Sequence, residues 1–319
     1  MTEKSKKVLL SGVKSTGRPH IANYFGAMKQ YVDLQNEYDS RIFIADLHSL
    51  TTVQNKEELS QNTLDLAMDY LAIGLDPEKV TIYKQSDLPE VTELAWIFNC
   101  ITTVPYLMRA HAFKDAEAKS KEVNVGLFDY PILMAADILI HNSDIVPVGK
   151  DQKQHIEITR DTAEKFNRIF NTDIFKLPEP LIISSVETIP GTDGQKMSKS
   201  NNNHIPLFST DEEIKKLVMS IVTDSNGGVP VNVYNIHKLF RDEEYLNKLY
   251  KEHEGKYKAL KEALIEDIIA FISPLRARRE EIAKDPELVR QMLKNNAKKL
   301  KMEVGEMMDK VRVVIGLEI

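Results

Sequence analysis

The sequence predicts an α/β protein, a doubly wound parallel sheet of Rossmann-like type followed by a smaller all-helical unit. Three observations predict it. Short apolar runs at residues 8–13, 42–45, 80–83, 145–148 and 181–184 alternate with helical patterns such as 57–72, 91–102 and 151–170. That alternation is the signature of parallel strands joined by right-handed crossovers. The first run is followed by a polar turn and an amphipathic stretch from Tyr24 to about Asn36. After Phe208 the pattern is helical almost throughout, with no convincing strand and Ser209-Thr210-Asp211-Glu212 as its first start signal.

Taken in order, the first turn reads Lys14-Ser15-Thr16-Gly17-Arg18-Pro19-His20-Ile21-Ala22-Asn23. Where its helix begins, backbone N–H groups point outward and the dipole favours an anion. His20 and Asn23, three apart, face the same side of that turn. The second run ends at Ala45-Asp46-Leu47-His48. A lone His there is more often structural. Cys100 sits in the apolar run 94–101 and is expected to be core filler.

Asp137 is the odd residue of the next helix, a carboxylate inside the apolar segment 133–139. Buried alone it is costly. It either bonds a nearby backbone N–H or accepts from a ligand donor. Gly149-Lys150-Asp151-Gln152 follows a strand and opens a helix, a ligand-facing position in an open α/β sheet. Gly149 lets the backbone approach a ligand closely, and Asp151 accepts from ribose hydroxyls, caps the helix, or both. The polar stretch Gly191-Thr192-Asp193-Gly194-Gln195 then leads into Lys196-Met197-Ser198-Lys199-Ser200. Two ammonium groups on a mobile loop can close over a triphosphate as point charges. The alternative is a solvated basic turn.

At 319 residues the chain suggests two domains, and 42% apolar residues suffice for a sizeable core. We place the first at 1–190, with 290–319 packing back on it, and the second at 191–289, with the lysine loop 196–200 at the junction. A net charge of −6 gives no global attraction for nucleic acid. Between Arg276 and Lys301, however, nine Lys/Arg stand against four Asp/Glu. That segment is either a solvated helix face or an RNA contact. One cysteine excludes an internal disulfide and suits a reducing cytoplasm. The charged N-terminus carries no signal-like stretch, no apolar run is long enough to span a membrane, and no Cys/His cluster has zinc spacing.

The lysine loop resembles the nucleotide loop of class I aminoacyl-tRNA synthetases. Residues 20–23 stand where those enzymes carry His-Ile-Gly-His, with Ala22 in place of Gly and Asn23 in place of the second His. Stretches 130–139 and 146–155, and Val222-Thr223-Asp224-Ser225, extend the resemblance, over nearly the whole chain, to bacterial-type tryptophanyl-tRNA synthetases.

The resemblance implies activation of L-tryptophan by ATP and transfer to the 2′-hydroxyl of tRNA(Trp), with Mg²⁺ held through the phosphates. Lys196, Lys199, His20 and Asn23 would be catalytic. ATP would be bound by those four with Lys14, Ser15, Thr16, Gly17, Gly149, Lys150, Asp151, Met197, Ser198 and Ser200. Asp137 would bind the indole nitrogen, with Met134 against the ring, Val146 and Val148 shaping the slot, and Leu10 and His48 lining it. Tyr130 and Gln152 would hold the ammonium. The helical domain would bind the tRNA anticodon, and Arg290, Lys294 and Lys298 would face tRNA. A cytoplasmic homodimer is expected.

Two departures stand out. Lys150 replaces the acidic residue usual in the family. Lys14 replaces Gln and would place a fixed cation near the substrate carboxylate and the phosphates, unless it is a surface lysine. A tyrosyl-specific synthetase on the same fold and an RNA-binding or regulatory paralogue without aminoacylation are the alternatives.

Overall fold

The computed structural model describes residues 6–110, 124–149, 152–182, 188–223 and 228–318. The chain runs β1 (Val8–Val13), α1 (Ile21–Asn23, a π-helical Tyr24–Met28, and Lys29–Leu34), β2 (Asp39–Ile44), α2 (Asp46–Ser49), α3 (Lys56–Ala72) and β3 (Val80–Lys84). It continues with a 3-10 turn (Gln85–Asp87), α4 (Glu90–Ile101), α5 (Val104–Leu107), α6 (Val125–Ile140), β4 (Ile145–Val148), α7 (Lys153–Ile169) and β5 (Glu179–Ile182). Helices α8 (Asp211–Met219), α9 (Val231–His237), α10 (Glu243–Glu252), α11 (Tyr257–Ile282) and α12 (Pro286–Ile315) complete it.

All five strands are parallel, in the order β3-β2-β1-β4-β5. The order reverses between β1 and β4, and such a switch point is where open sheets bind ligands. Local chemistry widens it. β1 pairs with β2 over its whole length, from Val8↔Asp39 to Val13↔Ile44, but meets β4 at Leu9↔Ile145 alone. Pro147, lacking an N–H, sits within β4. The two strands are thus free to splay toward their carboxyl ends.

Each face of the sheet has its own core. On one, β1–β3 residues such as Leu9, Ile42 and Ile82 pack with α1 and α3 and with apolar residues of α8, α9 and α11. On the other, Leu10, Phe43 and Val146 pack with α4, α6 and α7 and with Leu300, Val304, Met308 and Val311 of α12. Thr210 caps α8 by accepting the Glu213 amide at 3.2 Å, as the start signal there predicted. Arg279 of α11 grips Asp69 and Asp65 of α3 at 2.7 and 2.5 Å.

A buried polar cluster crosses the β2–β3 edge. Arg41, 6% exposed, donates to His141 Nδ1 at 3.1 Å and to Glu303 at 2.7 Å. The Tyr83 hydroxyl meets His141 Nε2 at 2.8 Å.

Four sequence expectations shift, the second strand beginning at Asp39 rather than 42 because it pairs with β1 from Val8↔Asp39 onward. The fifth strand begins earlier, at Glu179, because it pairs Glu179–Ile182 with Ile145–Val148, and residues 183–184 lie outside the described ones. The helix predicted from 151 begins at Lys153 among the described residues. Cys100 is exposed, not core filler. Val91, Leu94, Ala95, Ile97 and Phe98 form the buried stripe of α4, whereas Cys100 lies one turn after Trp96 on the outer face, where Trp96 is 70% exposed. No helix among the described residues is long and apolar enough to cross a membrane.

Candidate functional site

A cleft of about 840 Å³ opens at the switch point. Its walls include Lys14, Thr16 and Gly17 after β1, His20, Ala22 and Asn23 of α1, Gly149 after β4, Gln152, and Lys196, Met197, Ser198 and Lys199. The residues predicted for a nucleotide thus converge, despite their separation in sequence. Gly17 adopts φ 92°, which turns the chain from strand to helix at low cost.

The helix start is a capping box. His20 Nδ1 accepts the Asn23 amide at 3.2 Å, and Asn23 Oδ1 accepts the His20 amide at 3.1 Å. Nδ1 being an acceptor, neutral His20 carries its proton on Nε2. Asn23 Oδ1 is committed, and its Nδ2 donors have no protein partner among the described residues. Burial above all, then His204 and Lys199, push His20 down to about 4, so it is uncharged at neutral pH. The π-helical turn that follows places Gly26 and Ala27 on the same wall.

The lysine loop is built around Asn203. Its Oδ1 accepts the Ser198 amide at 2.8 Å, and its Nδ2 donates to Asp193 at 2.7 Å and to Lys196 O at 3.1 Å. Gly191 is needed there, since a Cβ would lie 2.3 Å from the Asn203 side chain. Met197, 3% exposed, anchors the loop in the core, and its amide donates to Ile189 O at 2.9 Å. Lys199 Nζ donates to the Gly17 and Thr16 carbonyls at 2.7 and 3.3 Å. Burial holds its pKa below the usual lysine value, against the opposing pull of Asp69.

Lys14 lies over the Tyr130 ring, 5.2 Å from its centroid, and has no ion-pair partner among the described residues. Burial lowers its pKa. Tyr130 bonds His155 at 2.6 Å, and its ring meets the His48 ring edge-on with centroids 6.1 Å apart. His48 Nε2 lies 2.9 Å from Asp137 Oδ2. Asp137 is 3% exposed, and burial raises its pKa against the hydrogen bonds of His48 and Gln85. Its partners are side chains, not the backbone N–H that was one reading of the sequence. Leu10, Val146 and Val148 are buried in the core on this face of the sheet, with Met134 packed against it.

Several predicted residues sit elsewhere. Ser15 is 1% exposed, and its hydroxyl is engaged by Ser49 and Thr63 at 3.1 Å each, so it braces the turn rather than lining the cleft. Ser200 bonds Ser198 at the loop's exposed side. Lys150, Asp151, Asp224 and Ser225 lie outside the described residues. Arg290, Lys294 and Lys298 are exposed on one face of α12, away from the cleft. Arg290 and Lys294 border a hollow with Lys56 and Lys84, and Lys294 and Lys298 a second one with Lys301.

Sequence reasoning missed Gln85 and Asn203. Gln85 is 1% exposed; its Nε2 donates to both Asp137 oxygens at 2.9 Å, and its Oε1 accepts the Leu47 and His48 amides. Its place directly after β3, at the carboxyl edge of a parallel sheet, was the available signal.

Known proteins are similar to this chain over nearly its whole length. Residues 2–283 match the family model "tRNA synthetases class I (W and Y)". The chain is 48% identical over 316 residues to a tryptophan–tRNA ligase of Fusobacterium nucleatum, covering 97% of each. It is 44% identical to one of Rhodopirellula baltica, covering 97% of this chain and 99% of that one. A crystal structure of the tryptophanyl-tRNA synthetase of Campylobacter jejuni, complexed with ADP and tryptophan, superposes with a TM-score of 0.88 at 42% identity and covers 97% of this chain and 99% of its own. With these matches spanning nearly all of both partners, and with the cleft at the same switch point as the lysine loop, the chain belongs to the class I tRNA synthetases of the tryptophan and tyrosine group.

Proposed function

We propose that this chain activates L-tryptophan with ATP and transfers it to tRNA(Trp). The observation that carries the reading is a continuous path of side chains. Asp137, a buried acceptor, touches His48; His48 meets Tyr130; Lys14 covers Tyr130 and faces the lysine-bearing cleft. Indole N–H is donor only and suits the carboxylate end, and a triphosphate suits the cationic end. The similarity to a tryptophan–tRNA ligase of Fusobacterium nucleatum and to a Campylobacter jejuni enzyme complexed with tryptophan supports tryptophan, rather than tyrosine, as the substrate of this chain.

The tryptophan carboxylate, ionised at neutral pH, attacks the α-phosphorus of ATP. The bond to the bridging oxygen breaks, and pyrophosphate leaves with the electron pair. No general base is required, so the protein contributes position and charge. His20 donates from Nε2 and Asn23 from Nδ2 to the phosphates, and Lys196 and Lys199 hold the pyrophosphate. Lys199 exchanges its carbonyl partners for phosphate oxygens. The terminal 2′-hydroxyl of tRNA then attacks the activated carbonyl and releases AMP. No carboxylate lines the cleft among the described residues, so Mg²⁺ would be held through phosphate oxygens, where it neutralises charge.

The domain division, 1–190 with 290–319 and a helical 191–289, goes with this reading, the helical part serving the tRNA anticodon. Arg290, Lys294 and Lys298 are proposed to meet tRNA phosphates. We also propose a cytoplasmic homodimer. The hollow bordered by Leu50 and Trp96, 44% and 70% exposed, leaves apolar surface of the kind that a second copy covers.

Charging of tRNA(Trp) transcript with tryptophan or tyrosine tests the proposal. Tryptophan-only charging supports it. Tyrosine charging, or ATP binding without charging of either, overturns it in favour of a tyrosyl enzyme or a non-aminoacylating RNA-binding paralogue.

A further inference from the structure

The strand-like segment after the lysine loop is laced to the start of α1. The Ile21 amide donates to Ile205 O at 3.0 Å, the Leu207 amide to Pro19 O at 2.8 Å, and His20 bridges Pro206. This fixes His204 beside His20, with ring centroids 5.7 Å apart and planes inclined by 51°. His204 Nδ1 is buried and has no partner among the described residues, and the ring stands directly behind His20, which lines the cleft. The groups acting on it are cationic or cation-forming: Lys199, Arg18 and His20, with Glu213 as the one carboxylate. Glu213 is already engaged in paired bonds of 3.3 Å with the Arg18 guanidinium.

We propose that His204 is a further phosphate-binding residue, which contacts the terminal phosphates of the triphosphate and the pyrophosphate that leaves. The inference rests on the reading of the cleft as the ATP site and extends it. Arg18, His20, Lys199 and His204 bring four potential donors together, while Glu213 is engaged by Arg18 and Asp69 by Arg279, so an added anion would find donors here and little opposing charge. His204 differs from the two loop lysines in one physical respect. Its backbone is held in register with Pro19–Ile21, so the imidazole is in place before the loop closes, while a lysine must be ordered from a long flexible stem.

Binding and protonation are coupled here. Without ligand, burial, Lys199 and Arg18 depress His204, and Glu213 opposes them only partly, so the ring is neutral. A polyphosphate beside it reverses the sign of the local field and favours imidazolium. Binding should therefore take up a proton and tighten as pH falls from about 8 to about 6, around the ordinary His value. His20, depressed by burial and by His204 and Lys199, is the other group that can share this proton.

The test compares wild type, His204→Ala and His204→Asn in equilibrium binding of inorganic pyrophosphate and in ATP–pyrophosphate exchange, each from pH 6 to 8. A lost hydrogen bond to a charged group weakens affinity by about tenfold or more. His204→Ala is expected to raise Kd for pyrophosphate and KM for ATP by about that factor, with KM for tryptophan unchanged and the pH dependence flattened. His204→Asn should recover most of the affinity at pH 8 but not the tightening toward pH 6. A pyrophosphate Kd and pH profile equal to wild type in His204→Ala overturns the proposal. So does an equal rise in KM for tryptophan and ATP, which marks a loop-packing role. Absence of exchange in wild type would instead overturn the reading of the cleft.

Discussion

Gln85 holds both oxygens of the Asp137 carboxylate with one amide nitrogen, at 2.9 Å to each. Its carbonyl oxygen meanwhile takes the Leu47 and His48 amides. One side chain thus sets the acceptor and the backbone that carries the neighbouring imidazole. Gln85→Met should keep the volume and lose both sets of bonds. We expect KM for tryptophan to rise by about tenfold or more, with KM for ATP nearly constant. Asp137→Ala should go further and lose preference for tryptophan over phenylalanine, because discrimination by a hydrogen-bonding site comes from the group left unpaired. Steady-state exchange with both amino acids measures this. An unchanged preference in Asp137→Ala would make the carboxylate purely structural.

Lys199→Ala should slow adenylate formation by roughly 10²–10³ while tryptophan binding stays intact. On the proposed mechanism the ammonium now shared between the Gly17 and Thr16 carbonyls would be required chiefly as charge develops on the leaving group. Single-turnover formation of adenylate is the readout, and a rate within threefold of wild type contradicts the assignment.

Lys14→Gln should increase dependence on Mg²⁺, since a cation at the cleft wall, without an ion-pair partner among the described residues, would do part of the metal's neutralising work. The Lys form should also resist tryptophan-mimicking inhibitors that lack the carboxylate, by about tenfold, the cost of one unmatched charge partner. Paired Mg²⁺ titrations and inhibition constants would settle it; superimposable curves refute the idea.

Neutralising Arg290, Lys294 and Lys298 should weaken tRNA binding and spare ATP–pyrophosphate exchange. For each RNA phosphate left without its cation, the slope of log K against log salt should shrink by about 0.7–0.9. A constant slope would return these exposed side chains to the solvent.

Acid should destabilise the fold through His141. Burial, then Arg41, push it down to about 3, well below the ordinary 6.5. A depressed folded-state value means that the unfolded chain takes the proton first. The stability tied to neutral His141 is therefore complete above pH 6.5 and is lost as pH falls toward 3. His141→Gln should flatten urea-derived stability against pH in that window by about 1.4 kcal/mol per pH unit, the slope of one proton. Parallel curves for the two forms would show that other groups drive acid unfolding.

Much of the architecture was legible in the sequence because it depends on local pattern. Apolar runs marked β1 and β4 to the residue, since strands buried on both faces leave little polar ambiguity at their ends. The fifth strand was placed late because Glu179 and Pro180 do not read as strand, although pairing with β4 makes them one. Cys100 was misplaced because an apolar run does not reveal which helical face is turned outward. The cleft's cations were found by motif. Gln85 and Asn203 were not, because their importance lies in what they touch across the fold; only the place of Gln85 directly after β3 offered a signal.

ATP–pyrophosphate exchange by the wild-type chain with tryptophan, with tyrosine and with no amino acid tests the proposed activity at its root. Exchange with tryptophan alone, slowed by roughly 10²–10³ in Lys199→Ala, is the expected result. Exchange supported by tyrosine, or none with any amino acid, would contradict it.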